Sequence, residues 1–473
     1  MALYAHLTRE IYDGPAGPKV GAFFDLDGTL LAGFSSVAFF RDRLLSGYLA
    51  PRHLLEALFA AASFQLGQIG FSGLVTGAAG ILTGLSEASM EALGERIFER
   101  QLASEIYPES WRLVHAHRHM GHTLTIVSSA TRFQIEPLAR ELGIPHVLCT
   151  QLEVRDGAFT GSVVRPICYG EGKAIAASEL AVRHGIDLER SYFYTDSDED
   201  LPLLEIVGYP RPTNSNRRLA AIAGERGWPV KRFTSRGAPG VAEIVRTGLV
   251  VGSIVPSFLL GLPVAVLNKT YRDAINLGVT TWGELGTALA GIKLQVRGEE
   301  HLWSQRPAVF IFNHQSAIDP LLICKLLRRD VVGIARRGAR WNPILGPWLS
   351  LMGTVFIERF NREDSASSLE PAIRALRQGL SIAVAPEGTR SPTPRLGRFK
   401  KGAFRLAMAA RVPIVPITFR NALDALPKHG RVVRPANIEV IVHPPISTEG
   451  WTSADLDREI EKIHELYTSA LDS

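Results

Sequence analysis

Residues 20–29 have the sequence VGAFFDLDGT, and this segment decides the first fold of the chain. Residues 20–25 have the length and apolar composition of a buried strand, which leads into a turn at Gly28. Apolar runs at 123–127 and 191–195 also end on polar residues, and helical patterns at 132–142 and 173–184 lie between the runs. Strands that alternate with helices predict a parallel sheet, with its active side chains at the carboxyl ends of the strands.

The length of 473 residues favours two domains, and the net charge of +5 is mild. Because the basic residues form no dense run with interleaved aromatics, we expect no nucleic-acid partner. An anionic membrane surface or phosphorylated substrates fit this charge. The three cysteines, Cys149, Cys168 and Cys324, have no metal-ligand or disulfide spacing, which favours a reducing cytosol.

Polar side chains with the means for phosphate chemistry follow the strands of the first sheet. A carboxylate can attack phosphorus only when the charges of both groups are neutralised, and a magnesium ion with several oxygen ligands does this. The second carboxylate of the turn can protonate the leaving oxygen and then activate water. The candidate side chains are Asp25, Asp27, Ser128, Lys173, Asp196 and Asp200.

These motifs, in this order, resemble the haloacid dehalogenase (HAD) phosphatase superfamily over about residues 18–220. A helical cap at about 31–107 is similar to that of the subgroup containing phosphoserine phosphatases. The resemblance implies a Rossmann-like parallel sheet, with Asp25 as the nucleophile and Asp27 as the acid and base. The other implied roles are Mg²⁺ binding by Asp25, Asp196 and the Asp27 carbonyl, phosphate binding by Ser128 and Lys173, and orientation of the lysine or a metal-bound water by Asp200.

The first part of the cap bears on the substrate of this half. A phosphoserine site needs a carboxylate for the amino group, but residues 28–41 contain no acid and carry Phe34, Phe39 and Phe40. This composition favours a lipid phosphate. Phosphoserine or another soluble phosphomonoester is the alternative, since Glu56 or another cap carboxylate could serve.

Strand patterns resume in the second half of the chain, at 308–312, 331–334, 355–358, 381–385, 414–419 and 438–443, and they predict a second α/β domain. His314 and Asp319 lie in the segment NHQSAID at 313–319. An imidazole can take the proton of an attacking hydroxyl, and a carboxylate can orient the imidazole and stabilise its charged form. This pair needs no serine or cysteine nucleophile, because the acceptor hydroxyl can attack directly.

Four segments of this half resemble the blocks of the glycerolipid acyltransferases, especially 1-acylglycerol-3-phosphate acyltransferases. They are residues 313–319, 353–359 (GTVFIER), 386–391 (PEGTRS) and 412–416 (VPIVP). The resemblance spans about 270–450 and implies His314 as the base and Asp319 as its partner. It implies lysophosphatidic acid as the acceptor, acyl-CoA or acyl carrier protein as the donor, and a supporting role for residues 413–416 on the donor side. The residues that it places at the glycerol phosphate are Arg359, Glu387, Gly388, Thr389 and Arg390.

Two basic segments leave questions open in this half. Residues 334–340, IARRGAR, lack the acid that family members often carry there, so the acceptor stays open. Residues 399–402, FKKG, could contact phosphate or coenzyme A, or form a solvated basic turn.

Residues 247–268 carry no charge and are flanked by Arg246 and Lys269. The length suffices for a membrane span, but glycines and prolines interrupt it. We expect a bent helical segment in one leaflet at the cytoplasmic face, completed by residues 281–292; a true span and a buried core helix are the alternatives. The predicted domains are therefore 1–235, a linker and membrane-associated segment at 236–292, and 293–473.

The two sets of motifs together predict a bifunctional, membrane-associated enzyme of phospholipid metabolism. One alternative is a phosphatase for soluble substrates fused to an acyltransferase. Another is that one half serves only as a non-catalytic scaffold or membrane tether.

Overall fold

The computed structural model describes residues 5–45, 71–341, 345–357 and 366–472. The chain divides into two compact units, Met1–Ala238 and Pro239–Ser473. Part of the predicted cap, residues 46–70 with Glu56, lies outside the described residues, and so does Arg359.

The first unit is built on a five-stranded parallel sheet with the order β3-β2-β1-β6-β7. β1 lies in the middle and is buried at every position, as its apolar sequence predicts. A separate antiparallel hairpin pairs β4 with β5. The strands are β1 Val20–Phe24, β2 Thr123–Thr131, β3 His146–Thr150, β4 Leu152–Arg155, β5 Ala158–Val163, β6 Asp187–Thr195 and β7 Tyr209–Pro212.

Helices cover this sheet and form the described part of the cap. The helix Arg132–Leu142, α6, has the predicted bounds. Thr131 and Gln134 form a capping box at its start, and Gly143, with φ 63°, ends it. α7 begins two residues before the predicted start. The helices are α1 Ala5–Tyr12, α2 Ser35–Leu45, α3 Phe71–Gly80, α4 Glu87–Arg100, α5 Pro108–His119, α6 Arg132–Leu142, α7 Glu171–His184, α8 Leu201–Leu204 and α9 Arg217–Arg226.

A chain of buried hydrogen bonds runs from β6 through two histidines. His122 Nε2 donates to the Pro15 carbonyl at 2.7 Å, so its Nδ1 must accept, and His117 Nδ1 donates to it at 2.8 Å. His117 Nε2 therefore accepts from the Tyr194 hydroxyl at 2.9 Å. Burial lowers the pKa of His117 well below 6.5, and the neighbouring charges add to this shift. Burial also lowers the pKa of His122, so both rings are neutral in this chain of bonds.

The second unit contains a seven-stranded sheet with the order β11-β10-β12-β9-β13-β14-β8. All neighbouring strands are parallel except β13 and β14. Among the described strands of this unit, only β8 has no counterpart among the predicted strands; in the first unit β3, β4, β5 and β7 have none. The strands are β8 Ile292–Arg297, β9 Val309–Phe312, β10 Val331–Arg336, β11 Val355–Ile357, β12 Ser381–Val384, β13 Ile414–Arg420 and β14 Ala436–Val442.

The helices of the second unit include the apolar segment that precedes its sheet. α13 ends at the left-handed Gly291, with φ 68°, and begins ten residues before the helix expected at 281–292. The helices are α10 Val241–Gly252, α11 Ile254–Leu259, α12 Leu262–Asn268, α13 Tyr271–Ala290, α14 His301–Ser304, α15 Asp319–Leu327, α16 Leu345–Leu351, α17 Ala366–Arg377, α18 Gly402–Ala410, α19 Ala422–Ala425 and α20 Leu456–Asp472.

A buried tyrosine of α20 supplies hydrogen bonds where the ladder between β9 and β13 lacks one. Pro416 lies opposite Ile311 and has no N–H to donate. The Tyr467 hydroxyl donates to the Ile311 carbonyl at 2.6 Å and accepts from Ile417 N–H at 3.1 Å. These two bonds attach α20 to the centre of the sheet.

The apolar segment is an interrupted helix folded against α13. By length and composition Val241–Asn268 could cross a membrane, with a mean hydropathy of 2.2 in its most apolar window, of which 28% is buried. Turns separate α10, α11 and α12, and α13 packs against all three. The backbones approach closely, since a Cβ on Gly261 would overlap the Ala274 carbonyl. Thr247 Oγ1 accepts from Val433 N–H at 2.8 Å, which ties α10 to the rest of the unit.

Candidate active sites

The first site lies at the carboxyl ends of β1, β2 and β6. The register pairs Phe24 with Ile126 of β2 and with Tyr194 of β6. Asp25 therefore follows the end of the central strand, beside Ser128 in the last part of β2 and Asp196 directly after β6. In parallel α/β sheets, ligands bind at the carboxyl ends of the strands.

Lys173 links two of the predicted carboxylates. Its Nζ lies 3.0 Å from Asp25 Oδ1 and 2.7 Å from Asp200 Oδ2, and all three side chains are buried. Thr195 Oγ1 donates to the same Asp200 oxygen at 2.6 Å. Burial raises the pKa of Asp25 against the opposing charge of Lys173, and Asp200 and Asp196 raise it further. Burial lowers the pKa of Lys173, but Asp200 and Asp25 outweigh it and raise that pKa above its usual value, so the lysine stays charged.

Asp27 is held by the first residue of α2. Ser35 N–H donates to Asp27 Oδ1 at 2.7 Å, and the Ser35 hydroxyl donates to Oδ2 at 3.1 Å. Burial raises the pKa of Asp27 to about 6, although the two bonds from Ser35 oppose this shift. A carboxyl group with this pKa can both give and take a proton near neutral pH.

The turn after β1 has room for Asp196 only because residue 28 is glycine. Gly28 has φ 73°, and a Cβ there would overlap Asp196 Oδ2. Burial raises the pKa of Asp196 to about 7, and Asp200 adds to the shift. A cation would offset the charge of these carboxylates, and Mg²⁺ commonly takes one or two protein carboxylates with water. Asp25, Asp196 and the Asp27 carbonyl fit this donor set, although no three His, Cys, Asp or Glu side chains of the described ranges form a metal-binding group.

Ser128 and Asn214 complete the surroundings of the turn. Ser128 Oγ accepts from Ala130 N–H at 3.2 Å, so its own hydrogen can point to a phosphate. Asn214 Nδ2 donates to the Gly28 carbonyl at 2.8 Å. Sequence reasoning missed Ser35, Thr195 and Asn214; of these, only Thr195, directly before Asp196, has a position that could have suggested its role.

The second site is centred on His314, in the loop between β9 and α15. His314 Nδ1 lies 2.8 Å from Asp319 Oδ2, as the sequence predicts for a base and its partner. The same oxygen accepts from Gln315 N–H at 3.0 Å and from Ser316 N–H at 2.9 Å. Asp319 is fully buried, whereas 25% of the His314 side chain is exposed. The arrangement leaves His314 Nε2 with no hydrogen-bond partner among the described residues.

Two further side chains hold this loop in place. Asn313 pairs with β13 like a strand residue: its Nδ2 donates to the Phe419 carbonyl at 2.9 Å and its Oδ1 accepts from Phe419 N–H at 2.7 Å. Glu387 Oε1 accepts from His314 N–H at 2.7 Å, and its Oε2 accepts from Gly397 N–H at 2.8 Å. Burial raises the pKa of Glu387, and the two backbone bonds oppose this shift. The sequence places Glu387 at the acceptor, but its oxygens face backbone amides.

Gly388, Thr389 and Arg390, which the sequence also predicts at the acceptor, follow Glu387 in the 386–400 loop. Gly388 has φ 71°, Thr389 is exposed and Arg390 is partly buried. Lys400 passes close to Gly388, because a Cβ there would lie 2.8 Å from Lys400 Nζ. Burial lowers the pKa of His429, and the positive charges of Lys428 and Arg390 contribute to the shift. This edge of the site is therefore positively charged, as an anionic acceptor requires.

The two halves match two family models. Residues 22–205 match the haloacid dehalogenase-like hydrolases, and residues 293–420 match the acyltransferases. The chain belongs to both families, with a HAD-type phosphatase domain followed by a glycerolipid acyltransferase domain. It is therefore a fusion of two enzyme domains.

Individual relatives match one half each. The protein named phosphoserine phosphatase SerB1 of Mycobacterium tuberculosis is 36% identical over 46% of this chain and 72% of its own length. A 1-acyl-sn-glycerol-3-phosphate acyltransferase of Limnanthes alba is 36% identical over 43% of this chain and 70% of its own length. The solved 1-acyl-sn-glycerophosphate acyltransferase PlsC of Thermotoga maritima is 22% identical, with a TM-score of 0.40, over 47% of this chain and 95% of that one.

Proposed function

We propose that this protein is a bifunctional enzyme of phospholipid metabolism. Its second half transfers an acyl group from acyl-CoA or acyl carrier protein to lysophosphatidic acid and gives phosphatidic acid. Its first half is a Mg²⁺-dependent phosphomonoesterase that acts on a lipid phosphate. The observation that carries the proposal is the pairing of His314 with Asp319 beside the 386–400 loop, on a chain that also holds the Asp25, Lys173 and Asp200 cluster.

In acyl transfer, His314 Nε2 takes the proton of the acceptor hydroxyl as its oxygen attacks the thioester carbonyl. Asp319 stabilises the imidazolium that forms. The tetrahedral intermediate expels the donor thiolate, which takes the proton from His314. In this proposal Gly388, Thr389, Arg390 and Arg359 hold the glycerol phosphate of the acceptor, as their motifs imply.

In phosphate removal, Asp25 attacks phosphorus and Asp27 protonates the oxygen of the departing alcohol. Asp27 then takes a proton from the water that attacks the aspartyl phosphate, which releases inorganic phosphate and restores Asp25. Lys173 and Ser128 hold the phosphate oxygens, and Asp200 keeps the lysine in place. Mg²⁺, when bound by Asp25, Asp196 and the Asp27 carbonyl, neutralises the charge of the phosphate and the nucleophile.

The apolar side chains beside Asp27 support a lipid substrate. Ser35 is bonded to Asp27, and its neighbours Phe34 and Val37 are 68% and 60% exposed. The departing alcohol must approach Asp27, so it meets these apolar groups, and the 28–41 segment offers it no carboxylate. Phosphoserine is the second candidate, because one relative carries that activity in its name.

The apolar segment 241–268 supports monotopic attachment at the cytoplasmic face. Val266 and Leu267 are 76% and 80% exposed, and Leu259 and Leu260 are 55% and 59% exposed. An apolar surface of this kind can enter one leaflet. A single span would pull the apolar segment away from the rest of the second unit. Thr247, near the start of the segment, is bonded to Val433 of that unit.

Reciprocal variants test the assignment of the two activities. His314→Ala should abolish acyl transfer and spare phosphatase activity, and Asp25→Asn should do the reverse. Phosphate release from lysophosphatidic acid, phosphatidic acid and phosphoserine is measured with and without Mg²⁺. A higher kcat/KM for phosphoserine than for both lipids would refute the lipid assignment. Survival of both activities in both variants would refute the site assignments.

A further inference from the structure

His314 is fixed at three points, and two of them belong to the 386–400 loop. Its N–H donates to Glu387 Oε1 at 2.7 Å, and its carbonyl accepts from Ser391 N–H at 2.8 Å. The third point is the bond from Nδ1 to Asp319. The position of Nε2 therefore depends on the loop as much as on Asp319.

Glu387 connects the backbone of His314 to the far end of the 386–400 loop. Only 5% of the residue is exposed, and its two oxygens accept from His314 N–H and from Gly397 N–H, ten residues further along the loop. A phosphate needs donors, whereas a carboxylate offers only acceptors and repels a second anion. Glu387 is thus poorly suited to bind the phosphate of the acceptor.

We propose that Glu387 is a positioning residue that acts through His314 and does not bind the acceptor. The inference rests on the proposed role of His314 as the base. A base transfers a proton efficiently only when its nitrogen lies within hydrogen-bond reach of the hydroxyl, and a displacement of about 1 Å can reduce the rate by about 10²-fold. The carboxylate maintains that position because it joins the peptide of His314 to the far end of the loop.

Two variants remove this link in different ways. In Glu387→Gln, one side-chain oxygen is replaced by an NH₂ group, which points a donor at a backbone N–H and leaves that N–H without an acceptor. In Gly397→Ala, a Cβ would lie 2.7 Å from Glu387 Oε2, so the carboxylate must shift away from its bond with Gly397 N–H. Gly397 has no side chain to bind a substrate, and this variant therefore tests the link alone. Gly224→Ala is the matched control, since a Cβ there has nothing within 4 Å.

Steady-state acyl transfer to lysophosphatidic acid is measured on the full chain. Titration calorimetry with lysophosphatidic acid, on full chains that also carry Asp25→Asn and without Mg²⁺ so that phosphate release does not contribute, gives the number of intact sites, so that kcat refers to folded enzyme. Both variants should lower kcat by about 10- to 100-fold, with KM and the dissociation constant within about twofold of the parent. Phosphatase activity and the Gly224→Ala control should be unchanged.

Three results would overturn the proposal. They are a raised dissociation constant or KM with an unchanged kcat in Glu387→Gln, parental kcat in Gly397→Ala, and weakened acceptor binding in both variants. If Glu387→Gln does not fold, Gly397→Ala decides. His314→Ala distinguishes failure of the proposed function from failure of this inference. Full acyl transfer in His314→Ala refutes His314 as the base. Loss of acyl transfer in His314→Ala, together with parental kcat in Gly397→Ala, refutes only the positioning role of Glu387.

Discussion

Asp319→Asn should reduce acyl transfer by about three orders of magnitude. The change preserves the shape of the side chain, and the amide oxygen can still accept from His314 Nδ1, so the ring keeps its place. What it removes is the negative charge that faces the imidazolium. The bond length of 2.8 Å puts the two charge centres about 4 Å apart, where the attraction is about 4 kcal/mol at an effective dielectric constant of about 20. This energy corresponds to a rate change of about 10³-fold.

The charge on His314 exists only while the proton is being transferred, so the loss should fall on kcat and kcat/KM alike and leave KM unchanged. The assay is steady-state transfer from acyl-CoA to lysophosphatidic acid. Phosphatase activity of the same chain is an internal control for its integrity. If Asp319→Asn retains more than a tenth of the parental kcat, the buried carboxylate does not stabilise a charged His314 and the reasoning is wrong.

Three further results are expected. Gly28→Ala should abolish phosphatase activity and spare acyl transfer, because the new Cβ would overlap Asp196; retained phosphate release would contradict this. The neutral His117 stabilises the fold fully above pH 6.5, and this contribution is lost as the pH falls because the unfolded ring takes up a proton. Below pH 6.5 the free energy of urea unfolding of the first unit should fall by up to about 1.4 kcal/mol per pH unit more steeply in the parent than in His117→Gln, because the carboxyl groups with raised pKa are common to both. Val266→Asp combined with Leu267→Asp should reduce sedimentation with anionic vesicles at least about tenfold, since each apolar side chain contributes about 1.5–3 kcal/mol on burial; unchanged sedimentation would exclude this surface.

The sequence predicts the parts of the fold that depend on local pattern. β1 and α6 are examples, since a continuous apolar run and a capping box define them without distant partners. β8 was missed although Ile292, Leu294 and Val296 alternate with polar residues. It is short, follows a long helix directly and lies at the edge of the sheet, where its partner β14 is far away in the chain. Its strand character depends on that pairing.

The candidate sites follow the same division. The polar residues at strand ends could be predicted because parallel strands bring their carboxyl ends together. The bonds that support them could not, because they join residues far apart in sequence, 186 positions for Asn214 and Gly28 and 73 for Glu387 and His314. The sequence around each residue gives no sign of which distant group it will bind.

The tie between Thr247 and Val433 also bears on biosynthesis. The partner of Thr247 is translated 186 residues later, and β8 pairs with a strand that follows Val433. The apolar segment 241–268 therefore leaves the ribosome before its partner Val433 has been made, whereas all five strands of the first sheet have already emerged. During that interval only α13, which follows directly in the chain, is available within the second unit to cover the apolar side chains of the segment.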